Sequence, residues 1–380
     1  MNKKKIIFFT TGRADFYLLS LIIKKIKKNR NFKTFIVATG SHYQKNRGET
    51  YKEIINKGLK INFKVPFNTN SGNKSEIINE VSESFKKNLK ILRKVNPDII
   101  VVLGDRFELI SVVNTALLLN IPIAHIHGGE VTQGAFDDSI RHSISKLSNI
   151  HYVCNKFYKK RLINMGEQPN NIIDVGGLGA ELIHNEKVLS KKKIEKSLKF
   201  KINKSLIIVN LHPETRNEKV NYLEFFKAIR KIRNKFIIVF TSPNTDPNNS
   251  VILKEIKKLS KFSDVYYFSN LGSELYHSLM RFSCILIGNS SSGLLEAPVL
   301  KIPSLNLGDR QKGRLLEESV MNCNFNKNEI IKKISILSKR KKQSFKIKYY
   351  QNKKASEIIV KSLNNINLKK IKIKKFYDIN

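Results

Sequence analysis

Short apolar runs recur along this chain, and nearly every one stops at glycine or at a cluster of polar residues. KKIIFFTTG, TFIVATGSH, PDIIVVLGD and IPIAHIHGG set the pattern in the first half, with HYVCN and NIIDVGG closing it. KSLIIVNLHPE, KFIIVFTSP, DVYYFSN, RFSCILIGNSSSG and KIPSLNLGDR continue it in the second. The runs are continuously apolar rather than alternating, so each strand they form is buried on both faces. That is the signature of a parallel sheet with helices on both sides. Between runs the period changes: Tyr17, Leu18, Leu21, Ile22 and Ile26 recur at helical spacing, as do Phe107, Leu109, Ile110, Val113 and Leu117. At roughly 150 residues per domain, 380 residues suit two such sheets. The charged stretch from about 184 to 204 separates them. The expected architecture is α/β: two doubly wound Rossmann-like domains, residues 1–185 and 186–365, facing a cleft, with a basic tail at 366–380. KKASEIIVKSLNNI reads as a last helix able to pack on either domain.

Composition narrows the function classes. Three cysteines, Cys154, Cys284 and Cys323, form no CxxC pair, which argues against a disulfide scaffold or a zinc ribbon. No apolar run approaches the roughly 18 residues of a spanning helix. The apolar stretch after the basic start is too short for a signal peptide, and Arg13 and Asp15 follow at once. A cytoplasmic protein is expected. The net charge of +39 invites a nucleic-acid reading. Its lysines, however, are spread over helix surfaces such as IIKKIKKNR, so nucleic acid is not the expected partner. The exception is residues 324–380, with 17 Lys or Arg against three acids and KRKK at 339–342. A salt-dependent contact with RNA or an anionic membrane would have to start there.

Ligands of open parallel sheets sit beyond the carboxyl ends of the strands, so the polar clusters at those ends carry the functional argument. Thr10-Thr11-Gly12-Arg13-Ala14-Asp15 is a strand-to-helix turn, where Arg13 can clamp a diphosphate or simply face solvent. Asp105, in LGDRFE, is either a helix cap or a cleft acid or base. The densest cluster runs from His125 to His142 and includes His127, Glu130, Asp137 and Arg141. Asp137 and Arg141 are spaced to share a helix face. On a strand His125 and His127 would point to opposite faces, and no cysteine is near in sequence, which disfavours a metal site. His212 follows SLIIVN and is stiffened by Pro213. Asn289-Ser290-Ser291-Ser292-Gly293 offers hydroxyls and bare N–H groups to a diphosphate, and Glu296 stands about one turn later for ribose hydroxyls. It is not a Walker loop, because no Gly-Lys-Ser/Thr follows.

TGRADF, GDRFE, HIHGGEVTQGAFDDSIRHSISKLS, VGGLGAE, NLHPET, GNSSSGLLEAP and GDRQKGR occur in this order. Together they resemble the UDP-N-acetylglucosamine 2-epimerases, and most of all the hydrolysing branch that serves sialic- and legionaminic-type sugars. The likeness covers about the first 320 residues. It implies a glycosyltransferase-B type fold with the nucleotide on the second domain. It also implies elimination of UDP across C1–C2, then addition of water with inversion at C2, releasing N-acetylmannosamine. No metal or other cofactor is implied. By the resemblance Asp105, Asp137, Arg141 and His212 are catalytic, while Arg13, Ser290, Ser291, Ser292, Gly293 and Glu296 bind substrate. His127 and Glu130 stand as alternatives for one proton-transfer role, since an imidazole titrates near neutrality. The partner is a nucleotide-sugar substrate, UDP-N-acetylglucosamine or a UDP- or GDP-linked diacetamido sugar, and a homodimer or homotetramer is the expected assembly. A glycosyltransferase of the same fold is the rival reading.

Overall fold

The computed structural model describes residues 3–44, 48–67, 74–133, 136–214, 220–243, 249–340 and 345–379. Thr215 of the NLHPET motif and Lys341 and Lys342 of the basic run lie outside them. The chain divides into two units. Unit 1 comprises Met1–Glu130, Asp137–Leu182 and Asn352–Asn380; unit 2 comprises Val131–Phe136 and Ile183–Gln351.

In unit 1 the described strands are β1 (Lys4–Thr10), β2 (Phe32–Gly40), β3 (Phe63–Pro66), β4 (Ile99–Leu103), β5 (Ile123–Ile126), β6 (Ile150–Val153) and β7 (Ile172–Asp174). They form one sheet in the order β3-β2-β1-β4-β5-β6-β7, parallel at every pairing. β1 shows why its run is continuously apolar. Ile6 and Phe8 enter one core with Phe16, Leu19 and Ile22 of the helix Arg13–Lys28. Ile7 and Phe9 enter the other with Val112 and Val113 of the helix Leu109–Leu118. All four are fully buried, and each contributes roughly 1.5–3 kcal/mol of hydrophobic stabilisation.

Unit 2 repeats the plan with β8 (Ser205–Asn210), β9 (Phe236–Thr241), β10 (Val265–Phe268), β11 (Ser283–Gly288), β12 (Ser304–Leu307) and β13 (Val320–Cys323). The order is β10-β9-β8-β11-β12-β13, again parallel throughout. Ile207 and Val209 face one core, Leu206 and Ile208 the other. Both sheets are therefore Rossmann-like. In each, the strand order reverses between two neighbouring strands, β1 and β4 in unit 1 and β8 and β11 in unit 2. Such a switch point is where an open α/β sheet leaves room for a ligand.

The expected domain limits of 186–365 and 366–380 are not those observed, because the chain returns to unit 1 at Asn352. Ala355, Ile359 and Leu363 of the helix Ala355–Asn365 are buried in the same core as Phe16 and Leu19. Further along, Lys374 Nζ donates to the carbonyls of Lys146 (2.5 Å) and Ser148 (2.7 Å) and pairs with buried Glu167 at 2.6 Å. The segment is held by apolar burial and by lysines that cap carbonyls, so it is structural rather than a loose tail. No helix among the described residues is long and apolar enough to cross a membrane.

Candidate active site

In unit 1 the polar residues gather at the tips of β4, β5 and β6. Asp105 is two residues past β4. The helix that follows starts only at Leu109, so Asp105 does not cap it. Its carboxyl instead accepts a hydrogen bond from Arg141 Nη2. Arg141 is buried in the helix Asp137–Leu147, and its Nη1 lies 3.8 Å from Asp138 Oδ1. Arg141 thus forms ion pairs with Asp105 and Asp138, where the helical spacing pointed to Asp137. A buried guanidinium needs such partners, since an unpaired one would cost several kcal/mol. Asp137 sits in the first turn of the same helix, half-buried.

The two histidines of β5 do different work. His125 is buried on the strand, with Nε2–H donating to the Gly104 carbonyl (2.7 Å) and Nδ1 accepting from Ser145 (3.1 Å). Burial pushes it down to about 3, so it is a neutral post beneath the Asp105 loop. His127 falls just beyond the strand end, at φ +65. Left-handed backbone is costly for a non-glycine residue, of order 1 kcal/mol or more. It is held there by a hydrogen bond from its own N–H to the Tyr152 carbonyl at 3.0 Å. The turn aims Nδ1 at Glu130 Oε1, 2.6 Å away. Cys154, one residue past β6, places Sγ 3.3 Å from both His127 Nδ1 and Glu130 Oε1. The sequence-based expectation that no cysteine is near is therefore corrected. Neighbouring parallel strands bring Cys154 to a histidine 27 residues earlier.

Arg13 is exposed at the start of its helix. The helix N-terminus itself is closed by Asp15, whose carboxyl accepts from Thr11 N–H (2.6 Å) and Gly12 N–H (2.9 Å). An anion bound at this turn would meet Arg13 rather than those two N–H groups.

In unit 2 the groups sit at the tips of β8 and β11, the two strands of its switch point. Asn289 brackets His212: its Oδ1 accepts from His212 N–H (2.7 Å), and its Nδ2 donates to the His212 carbonyl (2.9 Å). The tips can meet because Gly288, at φ +140, lies so close to Asn210 that a Cβ would fall 2.0 Å from its carbonyl oxygen. Arg310 Nη1 and Gln311 Nε2 donate to the Asn289 carbonyl at 3.2 and 3.0 Å. Burial, with Arg310 adding to it, pushes His212 down to about 3. It is a neutral imidazole at neutral pH.

The Ser-rich turn is followed by a helix of one turn only, Ser292–Leu295. A helix this short has only a weak dipole, so any anion would be held by hydroxyl and N–H groups. Ser290 and Ser291 are partly exposed. Ser292 Oγ is engaged: it donates to Glu296 Oε2 (2.5 Å) and meets Tyr276 OH (2.7 Å). Gly293 lets the turn lie against β12, where a Cβ would approach Ser304 Oγ to 2.7 Å. Behind Glu296 stands His277, with Nε2 3.5 Å from Glu296 Oε2 and Nδ1 2.5 Å from Glu186 Oε2. Burial alone would lower this histidine, but its two carboxylate partners raise it to about 9. It is an imidazolium at neutral pH. Asp138, Cys154, His277 and Asn289 were missed as site residues. Asn289 and Asp138 carried a local signal, the one in the GNSSSG turn and the other in the cluster from His125 to His142.

The family model described as UDP-N-acetylglucosamine 2-epimerase matches residues 24–364. A Campylobacter jejuni GDP/UDP-N,N'-diacetylbacillosamine 2-epimerase (hydrolyzing) is 38% identical over the whole of both chains. The Escherichia coli polysialic acid biosynthesis protein P7 is 33% identical over 99% of this chain and 98% of its own. A solved UDP-GlcNAc 2-epimerase from Neisseria meningitidis bound to UDP-GlcNAc superposes with a TM-score of 0.80 at 18% identity, over 94% of this chain and 99% of that one. The likeness thus extends past the first 320 residues, to the segment that packs on unit 1.

Proposed function

The chain belongs to the UDP-N-acetylglucosamine 2-epimerase family, and from that premise we propose that it is a hydrolysing 2-epimerase of a nucleotide-linked 2-acetamido sugar. UDP-N-acetylglucosamine is the first substrate, with UDP and N-acetylmannosamine as products. The observation that carries the reading is the set of proton-transfer groups at the tips of β4 and β5: Asp105 on Arg141, and His127 on Glu130. A base takes the proton from sugar C2 while the C1–oxygen bond breaks and its electron pair leaves with UDP. Water then adds to C1 of the resulting alkene, and a proton returns to C2 on the opposite face. Asp105, His127, Glu130 and Asp137 are the proposed acids and bases, and Arg141 orients Asp105.

The roles proposed for unit 2 follow from its electrostatics. The Ser290 and Ser291 hydroxyls and the Ser292–Gly293 turn take the diphosphate, and Glu296 accepts from the ribose. The neutral imidazole of His212 supplies a hydrogen bond to the leaving group rather than a charge. In unit 1, exposed Arg13 is the cation proposed for an anionic group of the substrate. Preorganised donors of this kind stabilise a departing anion without reorganising.

A second reading concerns the sugar. The relative that is 38% identical over its full length is named for diacetylbacillosamine carried on GDP or UDP, which favours the same reaction on a diacetamido 6-deoxy sugar. Both readings meet one test. The purified protein is incubated in deuterated water with UDP-N-acetylglucosamine and, separately, with UDP- and GDP-linked diacetylbacillosamine. Free nucleoside diphosphate and a C2-deuterated epimer are expected without any acceptor. Release only when an acceptor is added would mark a transferase, and no consumption of any of the three would end the proposal.

A further inference from the structure

The trio at the tips of β5 and β6 has a property that epimerisation does not require. Its donors are a thiol sulfur, an imidazole nitrogen and a carboxylate oxygen, and among the described residues these are the atoms placed so that all lie within 4.8 Å of one another. That mixture is the donor set of zinc, while sulfur disfavours magnesium and calcium. With Zn–S near ~2.3 Å and Zn–N and Zn–O near ~2.0–2.2 Å, tetrahedral angles put neighbouring donors about 3.3–3.6 Å apart. Cys154 Sγ already lies 3.3 Å from both partners. The His127–Glu130 contact, at 2.6 Å, is shorter than that spacing and has to open, as a metal replaces the proton between them.

The backbone holds the three in place. His127 is kept in its left-handed turn by Tyr152. Cys154 is followed directly by Asn155, whose side chain caps the helix Lys156–Asn164 through the N–H groups of Phe157 and Tyr158. Cys154 and Glu130 are buried, and His127 is the more accessible of the three, with its side chain 12% exposed. The opening is on the imidazole side, and three protein donors leave a fourth position for water. Arg161, whose Nη1 is fixed on the Gly129 carbonyl, opposes a cation here.

We propose that Cys154, His127 and Glu130 form a binding site for a thiophilic divalent cation of the zinc class, and that filling it arrests turnover. Binding displaces the thiol proton to solvent as the metal–sulfur bond forms, and it takes His127 Nδ1 and Glu130 Oε1 away from proton transfer. The arrest rests on the acid–base roles proposed above; the binding does not.

The test uses the full-length protein stripped with chelator. Titration with Co²⁺ is expected to raise a near-ultraviolet thiolate-to-cobalt absorption band that saturates at one equivalent, and zinc-edge X-ray absorption of the Zn²⁺-loaded protein to show one sulfur among nitrogen and oxygen neighbours. Cys154→Ser should lose the band and bind Zn²⁺ at least ~tenfold more weakly. Zn²⁺, but not Mg²⁺, should stop wild-type turnover, a chelator should restore it, and the fold-inhibition should shrink in the variant. A cobalt band that persists in Cys154→Ser, or a zinc shell without sulfur, overturns the site. The wild-type X-ray measurement decides even if the variant fails to fold. Binding as described with turnover unaffected leaves the site standing and counts against proton transfer by His127 and Glu130.

Discussion

The two sheets share a strand order and a switch point, and each holds a buried neutral histidine at its strand tips, His125 in unit 1 and His212 in unit 2, yet unit 2 also keeps a buried histidine charged. In unit 1, burial drives His125 down to about 3 and lowers His151 despite its hydrogen bond to Glu167. In unit 2, His277 is buried too, and it is held up at about 9. The difference lies in who shares the carboxylate. Glu167 also serves Lys374 at 2.6 Å and Lys146 at 3.0 Å, so the charge that would protonate His151 is already balanced. His277 has Glu186 and Glu296 on its two nitrogens. Fold topology therefore places the imidazole, but the count of nearby cations and anions decides its charge. Unit 1 has neutral posts around the residues proposed to transfer protons, and unit 2 has a fixed cation behind the residue proposed to hold ribose.

The largest effect expected from breaking this division is in unit 1. Asp105→Asn keeps a hydrogen-bonding partner for Arg141 but removes the proton-accepting group. Turnover should fall by ~10²–10⁴ while UDP affinity, measured by calorimetry, stays near wild type. An equal loss of UDP binding would show that Asp105 positions the nucleotide, and full activity would reduce it to a partner of Arg141.

Next comes the shared carboxylate. Burial pushes Glu167 up, but hydrogen bonds from His151 and Lys374 win and hold it at about 2. Its folded value is depressed, so its contribution is present above the unfolded value near 4.5 and disappears as pH falls through about 2. Lys374→Met removes one cation from this cluster and three carbonyl contacts from the end of the helix Asp137–Leu147. A loss of roughly 1–3 kcal/mol is expected in denaturant titrations. In the same variant the His151 ring should titrate at higher pH by NMR, since a lysine that lowers it is gone. An unmoved His151 would mean that burial alone sets its charge.

Much of this was legible in the chain. All described strands but β3 and β13 fall in stretches legible as strands, and the inner ones β1, β4, β8 and β11 carry apolar runs because they are covered on two faces. β3 and β13 lie at sheet edges, where Phe63–Pro66 buries only Val65 fully and Val320–Cys323 only Cys323, so neither carries the signature. Strand tips were legible as well, and with them Asp105, His127, Ser290 and Glu296. What sequence could not show is lateral. The Cys154–His127 contact depends on β5 and β6 being neighbours in register, and the pairing of His277 with Glu186 spans 91 residues. The docking of residues 352–380 was equally hidden. An amphipathic helix announces that it needs a core, not which one.

A smaller effect is expected at His277, and it sharpens the contrast. His277→Gln should raise KM for the nucleotide sugar about tenfold with kcat little changed, because the variant loosens Glu296 without touching the proton-transfer groups. The wild-type pH profile gives an independent sign. A histidine raised to about 9 in the folded protein stabilises fully below its unfolded value near 6.5, and that contribution is lost as pH rises through about 9. Around the ring stand Glu186 and Glu296, with Tyr276, Ser273 and Ser292 completing the network. UDP affinity should decline above that pH in wild type and lose that step in the variant. A kcat change with unmoved KM would place His277 in the chemistry instead.

The smallest effect concerns the lysines that give the chain its charge. Lys86 pairs with Glu83 at 3.0 Å and Lys227 with Glu224 at 2.8 Å, with both lysines exposed to solvent. Exposed pairs of this kind are worth about 0.2–1 kcal/mol at most. Lys86→Gln and Lys227→Gln should each leave the unfolding free energy and turnover close to wild type, whereas Lys374→Met lowers stability. A basic residue in this protein matters where it is desolvated against carbonyls and a buried carboxylate, as Lys374 is, and the surplus elsewhere is solvated surface. If the surface substitutions cost as much as Lys374→Met, the positive field as a whole, rather than those few buried contacts, would be sustaining the fold.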